Sequence, residues 1–433
     1  MDDRRIANGR TELILGELGP QQSFGFGPQA SESPPGLITY SGDAHLCTVA
    51  PTRSGKGVGI IVPNLLTYTG PVIVIDPKGE NYVVTARRRE ELGHRVIKLD
   101  PFGVIDDETD SLNPLDLCQL PGSEIATESQ AIAEMLSSGL RGTREPFWDL
   151  NGTAFAAGLI ALAATQGDDA HCNLSYVLDR LTADDIGIDL EKILEAPGNK
   201  ISPLAYREIA SVLQMPDLTR GGVIATTKSY FASLNSAPVR RAMDTSTFSL
   251  QDVTDGKPLS IYLIVPANRM QSHRVVLKLW VGTLLAALFS RQRPVPMKTL
   301  FMLDEVAQLG QFPLLESMST LSAGYAVWLH TLWQDLSQLK SCYPSTWKNI
   351  LNNCAVIQTF GIYNYDMARQ WGQFLQTPPD VLNRLEIDEQ LLSLHGQGEQ
   401  VCRRLNYLTD PRFEGQWDPN RFFEPEEGDA PER

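Results

Sequence analysis

Apolar residues along the chain keep two rhythms, and the boundary between them divides the sequence. From His45 the rhythm is short and dense: "HLCTVA", a glycine-bearing turn, "GKGVGIIVPNLL", "PVIVID" at 71–76 and "HRVIKLD" at 94–100. Unbroken runs rich in Val and Ile read as strands buried on both faces, the kind that parallel sheets use. The segment from Gly55 carries helical spacing instead, with Pro63 set to kink it. Strand, loop, helix, strand is the signature of a doubly wound α/β domain.

From about Asn113 the rhythm lengthens. "TESQAIAEMLSSGL", "GTAFAAGLIALAAT", "LSYVLDRL" and "LAYREIASVLQM" repeat their apolar positions at helical spacing. Strand patterning resumes at "LSIYLIVP" (259–266) and "KTLFMLDE" (298–305), and continues through "AVWLHTLW" (326–333) and "CAVIQTFGIY" (354–363). These patterns predict one α/β nucleotide-binding domain, 41–113 and 233–418, interrupted by an inserted all-α domain, 114–232. Residues 1–40 read as an irregular lead-in and 419–433 as a solvated acidic tail.

Composition narrows the picture. The chain has 433 residues, enough for two or three cores, with 42% hydrophobic and 21% charged residues. A net charge of −15 argues against a surface basic all over, and so against a general grip on DNA phosphates by this chain alone. The six cysteines are scattered without a C-x-x-C, as in a reducing compartment. The N-terminus is not a signal peptide, and "FAAGLIALAA" and "LLAALF" fall short of the roughly 18 residues that span a bilayer. A cytoplasmic protein without a transmembrane segment is expected.

The turn between the first strand and its helix reads "APTRSGKGVG" (50–59). It approaches the phosphate-loop pattern G-x-x-x-x-G-K-[ST], with Ala50 for the first glycine and Gly57 for the hydroxyl residue. Arg53, Ser54, Gly55, Lys56 and Gly57 are expected to wrap a β-phosphate, with Lys56 reaching toward the γ-phosphate and Thr52 and Val58 completing the binding stretch. A solvated glycine turn is the plain alternative. Gly57 costs one direct magnesium ligand, which water, Thr52 or Ser54 would have to replace.

An acidic pair should close the site from the end of an apolar strand. "TLFMLDE" supplies Asp304, expected to hold Mg²⁺ through water, and Glu305, expected to act as general base on the attacking water. Gln334, after "AVWLHTLW", is a candidate γ-phosphate sensor. Guanine selectivity would need [NT]-K-x-D; "NKIS" and "IKLD" each miss a member, which favours ATP. "DPKGE" (76–80) reads as a strand-ending turn, Trp328, Trp333, Trp347 and Trp371 as core or subunit-contact aromatics, and His273 and His330 as structural.

With these residues assembled, the chain resembles the TraG family of type IV secretion coupling proteins. The resemblance rests on "HLCTVAPTRSGKGVGIIVPNLL", "GPVIVIDPKGENY", "GHRVIKLDPF", "FWDLNGTAFAAGLIAL", "LFMLDEVAQLG", "LHTLWQDLSQL" and "YLTDPRF", and runs from about residue 40 to 415. It implies a RecA-like P-loop NTPase that binds ATP and Mg²⁺ and forms a homo-hexamer. It also implies hydrolysis coupled to passing a relaxase–DNA complex or a protein effector to type IV secretion channel components. "APTRSGKG" is a common form of the loop in that family. The carried-over roles fall on Lys56 for phosphates, Asp304 for magnesium, Glu305 for catalysis and Gln334 as sensor, with the all-α segment meeting substrate.

Two departures follow. Relatives begin with transmembrane helices, none of which is read here, so the protein is expected to be cytoplasmic or peripheral at the inner membrane. Many relatives carry an arginine before the sensor strand, whereas "LSAGYAVWLH" has none, leaving Arg269 and Arg369 as candidate fingers. Two rival readings stay open: a nucleotide-gated adaptor with little hydrolysis, and a DNA translocase outside secretion with Arg240, Arg241 and Arg274 lining a pore.

Overall fold

The computed structural model describes residues 9–18, 36–138, 146–166, 170–196 and 201–422. Eleven strands form one sheet: β1 (Leu13–Glu17), β2 (Leu37–Tyr40), β3 (His45–Val49), β4 (Val72–Ile75), β5 (Arg95–Leu99), β6 (Leu259–Leu263), β7 (Thr299–Leu303), β8 (Val327–Trp333), β9 (Cys354–Thr359), β10 (Glu389–Leu394) and β11 (Gly398–Arg403). Their order is β2-β1-β11-β10-β9-β3-β8-β7-β4-β6-β5. The stretch from β9 to β5 is parallel throughout. Those strands are buried on both faces because helices cover both, as their unbroken apolar runs require. All parallel strands therefore end at one edge, where an open α/β sheet binds its ligands.

The other four strands are an antiparallel extension. β10 pairs with β9 and β11, and β1 joins β11 to β2. The lead-in expected to be irregular is corrected here: β1 and β2 lie inside 1–40. β1 reads "LILGE", a short apolar run that pairs with β2 along its length and meets β11, from the far end of the chain, at Glu17. A polar relay pins it. His330 Nε2 lies 2.8 Å from Thr48 Oγ1, which donates to Gln358 Oε1 at 3.1 Å. Gln358 donates to Gln390 at 3.0 Å, and both amides donate to the Leu15 carbonyl. His330 is thus structural, held neutral by burial with its pKa pushed down to about 3.

Between β5 and β6 the described chain is helical, from Ile125–Ser137 to Leu250–Thr254. Helix Pro146–Ala164 packs against Ile125–Ser137, Pro203–Leu213 and Asp217–Phe231. At 19 residues it is longer than its apolar core suggested, and long enough by length and composition to cross a membrane. Its buried residues, from Phe155 to Ala163, serve as the centre of this helical segment instead. One continuous apolar cluster runs from these helices into one face of the sheet through helix Arg274–Phe289. The acidic-tail residues 423–433, and 1–8 and 19–35 of the lead-in, lie outside the described residues.

Candidate active site

The loop 50–57 leaves β3 at the sheet's ligand edge. Arg53 and Gly55 take positive φ values of 61° and 90°, curling the backbone into a cradle that opens toward the following helix. Only glycine suits position 55: besides its φ, a Cβ there would stand 2.9 Å from Arg404 Nη1. The helix begins as a π-turn, Gly57–Ile61, and becomes α-helical at Val62–Thr67 with Pro63 in its first turn. The kink read from Pro63 is this change of winding, since proline has no N–H to continue the ladder.

Lys56 is folded into its own loop. Nζ donates to the Ala50 carbonyl at 2.6 Å and the Pro51 carbonyl at 3.0 Å. Burial lowers its pKa, opposed by the charges of Asp304 and Glu305. The Ser54 hydroxyl is spent on the Pro51 carbonyl, at 2.5 Å, and Thr52 and Arg53 are exposed. Val58 is half-buried, and its carbonyl accepts from Tyr407 N at 3.5 Å.

Asp304 and Glu305 follow directly from β7, whose five residues are all buried. Glu305 sits at φ 54°, a left-handed position uncommon outside glycine, and its N–H donates to Asp304 Oδ1 at 3.0 Å. Gln334, at the end of β8, donates from Nε2 to both Glu305 oxygens, at 3.1 and 2.8 Å. Burial, and then the neighbouring Glu305 charge, push the Asp304 pKa up to about 6. Lys56, Asp304, Glu305 and Gln334 are thus brought to one edge from β3, β7 and β8, adjacent strands in the sheet.

A further carboxyl joins them. Asp76, treated in sequence as part of a turn, ends β4 beside β7 and is fully buried. It accepts from Tyr82 N at 2.8 Å, and burial raises its pKa to about 7, with Asp304 adding to the shift. Its sequence signal is the one that found Asp304: an Asp directly after an unbroken apolar strand. Arg404 was also missed. It follows β11, donates from Nη1 to the Ser54 carbonyl at 2.7 Å, and lies over the Phe360 ring at 4.1 Å. No local pattern points to it, because its contact spans most of the chain.

The family described as Type IV secretory system Conjugative DNA transfer matches residues 20–375. The chain belongs to this conjugative DNA transfer family. Within the family it is similar to Conjugal transfer protein TraG of Escherichia coli, 27% identical over 417 residues that cover 91% of this chain and 62% of that one. It is equally similar to Protein VirD4 of Agrobacterium fabrum, 27% identical, with 91% and 62% covered. The chain spans less than two-thirds of the length of these relatives. The fold is that of the coupling protein TrwB, solved in complex with the ATP analogue ADPNP: TM-score 0.66, 13% identity, 86% of this chain and 88% of that one. TrwB has also been solved with ADP and Mg²⁺. VirB4 of Thermoanaerobacter pseudethanolicus shares it too, at TM-score 0.57 and 15% identity over 88% of this chain and 95% of that one. The RecA-like, mostly parallel sheet expected of a conjugative coupling protein is therefore present.

The candidate arginine fingers lie on the surface. Arg269 is exposed, and Arg369 is exposed and paired with Asp366 at 3.4 Å. Arg240 pairs with Asp179 at 2.9 Å within the helical segment.

Proposed function

We propose that the chain is an ATPase that binds ATP and Mg²⁺ in the 50–57 loop. It uses hydrolysis to engage and move a relaxase–DNA complex or protein effector toward a type IV secretion channel, working as a homo-hexameric ring. The observation that carries this reading is the meeting of Lys56, Asp304, Glu305 and Gln334 at the ligand edge of the sheet.

The residues fit the ligand. Among the described residues, no group of three or more His, Cys, Asp or Glu is clustered for a metal. A divalent ion here would take one or two carboxylates, with phosphate oxygens and water filling its shell, which is magnesium's habit. Asp76, buried, and Asp304, half-buried, with pKa values raised to about 7 and about 6, would supply those carboxylates. When bound, Mg²⁺ neutralises charge on the transferring phosphoryl group.

The chain's own residues do the rest. Lys56 exchanges two backbone carbonyls for phosphate oxygens, trading neutral acceptors for charged ones. Glu305 takes the proton of the attacking water, and Gln334, bound to both its oxygens, fixes the carboxylate's direction. From that position Gln334 can also report the γ-phosphate's presence.

Steady-state ATP turnover, with and without single- and double-stranded DNA, tests the reading beside Glu305→Gln. DNA-stimulated turnover lost in the variant is expected. Tight ATP binding without turnover under any condition would overturn the motor and leave the nucleotide-gated adaptor.

A further inference from the structure

The carboxylates fix which way a bound nucleotide must run. In the sheet, β7 and its acidic pair stand two strands to one side of β3, across β8, while β9, β10 and β11 stand on the other. A γ-phosphate turned toward Glu305 sends the α-phosphate, ribose and base toward β9 and β11. This inference rests on the nucleotide reading above and adds what holds the base.

That side is built, and it is built against the loop. Phe360 follows β9 and is fully buried, and Gly361 comes next at φ 68°. A Cβ at Gly361 would come within 2.9 Å of Ser54 Cβ, so the two segments touch. Arg404 joins three pieces: the Ser54 carbonyl in the loop, the Phe360 ring after β9, and the Ile387 carbonyl before β10. Beside this guanidinium stand two large side chains with little cover. Tyr363 is 79% exposed and Ile387 83% exposed, and Tyr363 lies within electrostatic reach of Arg404. A tyrosine and an isoleucine are thus left bare on the two segments that Arg404 ties to the phosphate loop, and offer two apolar walls there.

We propose that Tyr363 and Ile387 flank the base of the bound nucleotide, with Arg404 carrying both walls to the phosphate loop. A flat aromatic ligand answers the apolar side chains, and aromatic stacking reads a base's face, which every base has, more than its edge. The larger purine ring gains more from such contact. Purine nucleotides are accordingly the ligand class, with ATP and GTP bound within about tenfold of each other and pyrimidine nucleotides more weakly.

The test compares ATP with inorganic tripolyphosphate, which has the phosphates and no base, by calorimetry on the full chain. Tyr363→Ala should weaken ATP about tenfold and leave tripolyphosphate unchanged; stacking on one aromatic is worth about that much. Tyr363→Phe should restore ATP. Ile387→Ser should act in the same direction as Tyr363→Ala by a smaller factor. Equal weakening of both ligands by Tyr363→Ala, or no weakening of either, overturns the proposal. So does a change of oligomeric state with unaltered ATP affinity, which would make Tyr363 a subunit contact. Wild-type protein that binds neither ligand overturns the nucleotide reading itself, a distinct result.

Discussion

Buried charge is handled in opposite ways at the two ends of the parallel sheet. At the end where strands begin, Arg89 is fully buried and completely answered. Its Nε donates to Ser260 Oγ at 2.8 Å, and its Nη atoms donate to the Leu65, Tyr68 and Gly70 carbonyls. Its last donor faces His94 Nδ1 at 3.1 Å, while His94 Nε2 donates to the Thr69 carbonyl at 3.0 Å. Burial pushes the His94 pKa down to about 4, so the ring is a neutral acceptor for the guanidinium. At the end where strands finish, Asp76 is as deeply buried and Asp304 is half-buried, yet their hydrogen bonds come from backbone and an amide, with no ion pair among the described residues. Burying a charge is costly, and satisfied burial marks structure. Unanswered charge held at a ligand edge marks a site waiting for its cation.

The comparison breaks most sharply at Arg89. Arg89→Ala removes the donors from the Leu65, Tyr68 and Gly70 carbonyls at the end of helix Val62–Thr67 and opens a cavity. A loss of about 3–5 kcal/mol is expected from a buried charge network broken on one side. Urea denaturation measures it. A loss below about 1 kcal/mol would remove the distinction between the two ends.

The same experiment at the other end should reverse sign. Asp304 holds its proton more tightly folded, near 6, than at its ordinary value of 3.8. Its stabilising contribution is therefore whole below about pH 4 and is lost as pH rises through about 6, with Asp76 continuing the loss to about 7. Nucleotide-free Asp304→Asn should match wild type near pH 4 and exceed it near pH 8 by about 1–3 kcal/mol. Turnover should meanwhile fall at least about a hundredfold. Thermal melts across pH, beside an activity assay, check both halves. A variant less stable than wild type at the higher pH would make Asp304 a structural residue like Arg89.

A third substitution separates holding a loop from doing chemistry. Arg404→Ala frees the Ser54 carbonyl and uncouples the loop from Phe360 and Ile387. Affinity for tripolyphosphate should fall by about tenfold and that for ATP by more, since the base loses its walls too, with kcat within about threefold of wild type, because the carboxylates and Gln334 are untouched. A drop in kcat with unchanged affinity would place Arg404 in the chemistry instead.

What the sequence disclosed divides along similar lines. Strands β3 to β9 and the loop between β3 and its helix announce themselves, because a buried parallel strand is an unbroken apolar run and a phosphate loop is a local pattern. Asp304 and Glu305 were legible for the same reason, as carboxylates ending such a run. Asp76 carries the same signal, but the Pro and Gly that follow it read equally well as a plain strand-ending turn. β1 and Arg404 were illegible for a physical reason. β1 is pinned at its Leu15 carbonyl by Gln358 and Gln390, and Arg404 is held by Ser54, partners hundreds of residues away that no local rhythm encodes. Helix Pro146–Ala164 shows the converse error, where an apolar core hid the mixed turns at its start, broken by Asp149 and Asn151.

The smallest expected effect bears on the missing hydroxyl. A Cβ built at Gly57 meets nothing within 4 Å, and its backbone is not in the left-handed region. The space for a serine is thus present where the phosphate-loop pattern has one, and its absence is not a steric demand of the fold. Gly57→Ser should be neutral to slightly stabilising, since serine is less costly than glycine inside a helix by a few tenths of a kcal/mol. Its hydroxyl adds a ligand that water otherwise provides, so the Mg²⁺ concentration for half-maximal turnover should fall by about two- to fivefold. A Mg²⁺ titration of turnover reads this directly. An unchanged or raised requirement would mean that the ion stands away from position 57, held by the carboxylates of β4 and β7 rather than by the loop. The unanswered charge at that end of the sheet would then belong to the strands alone.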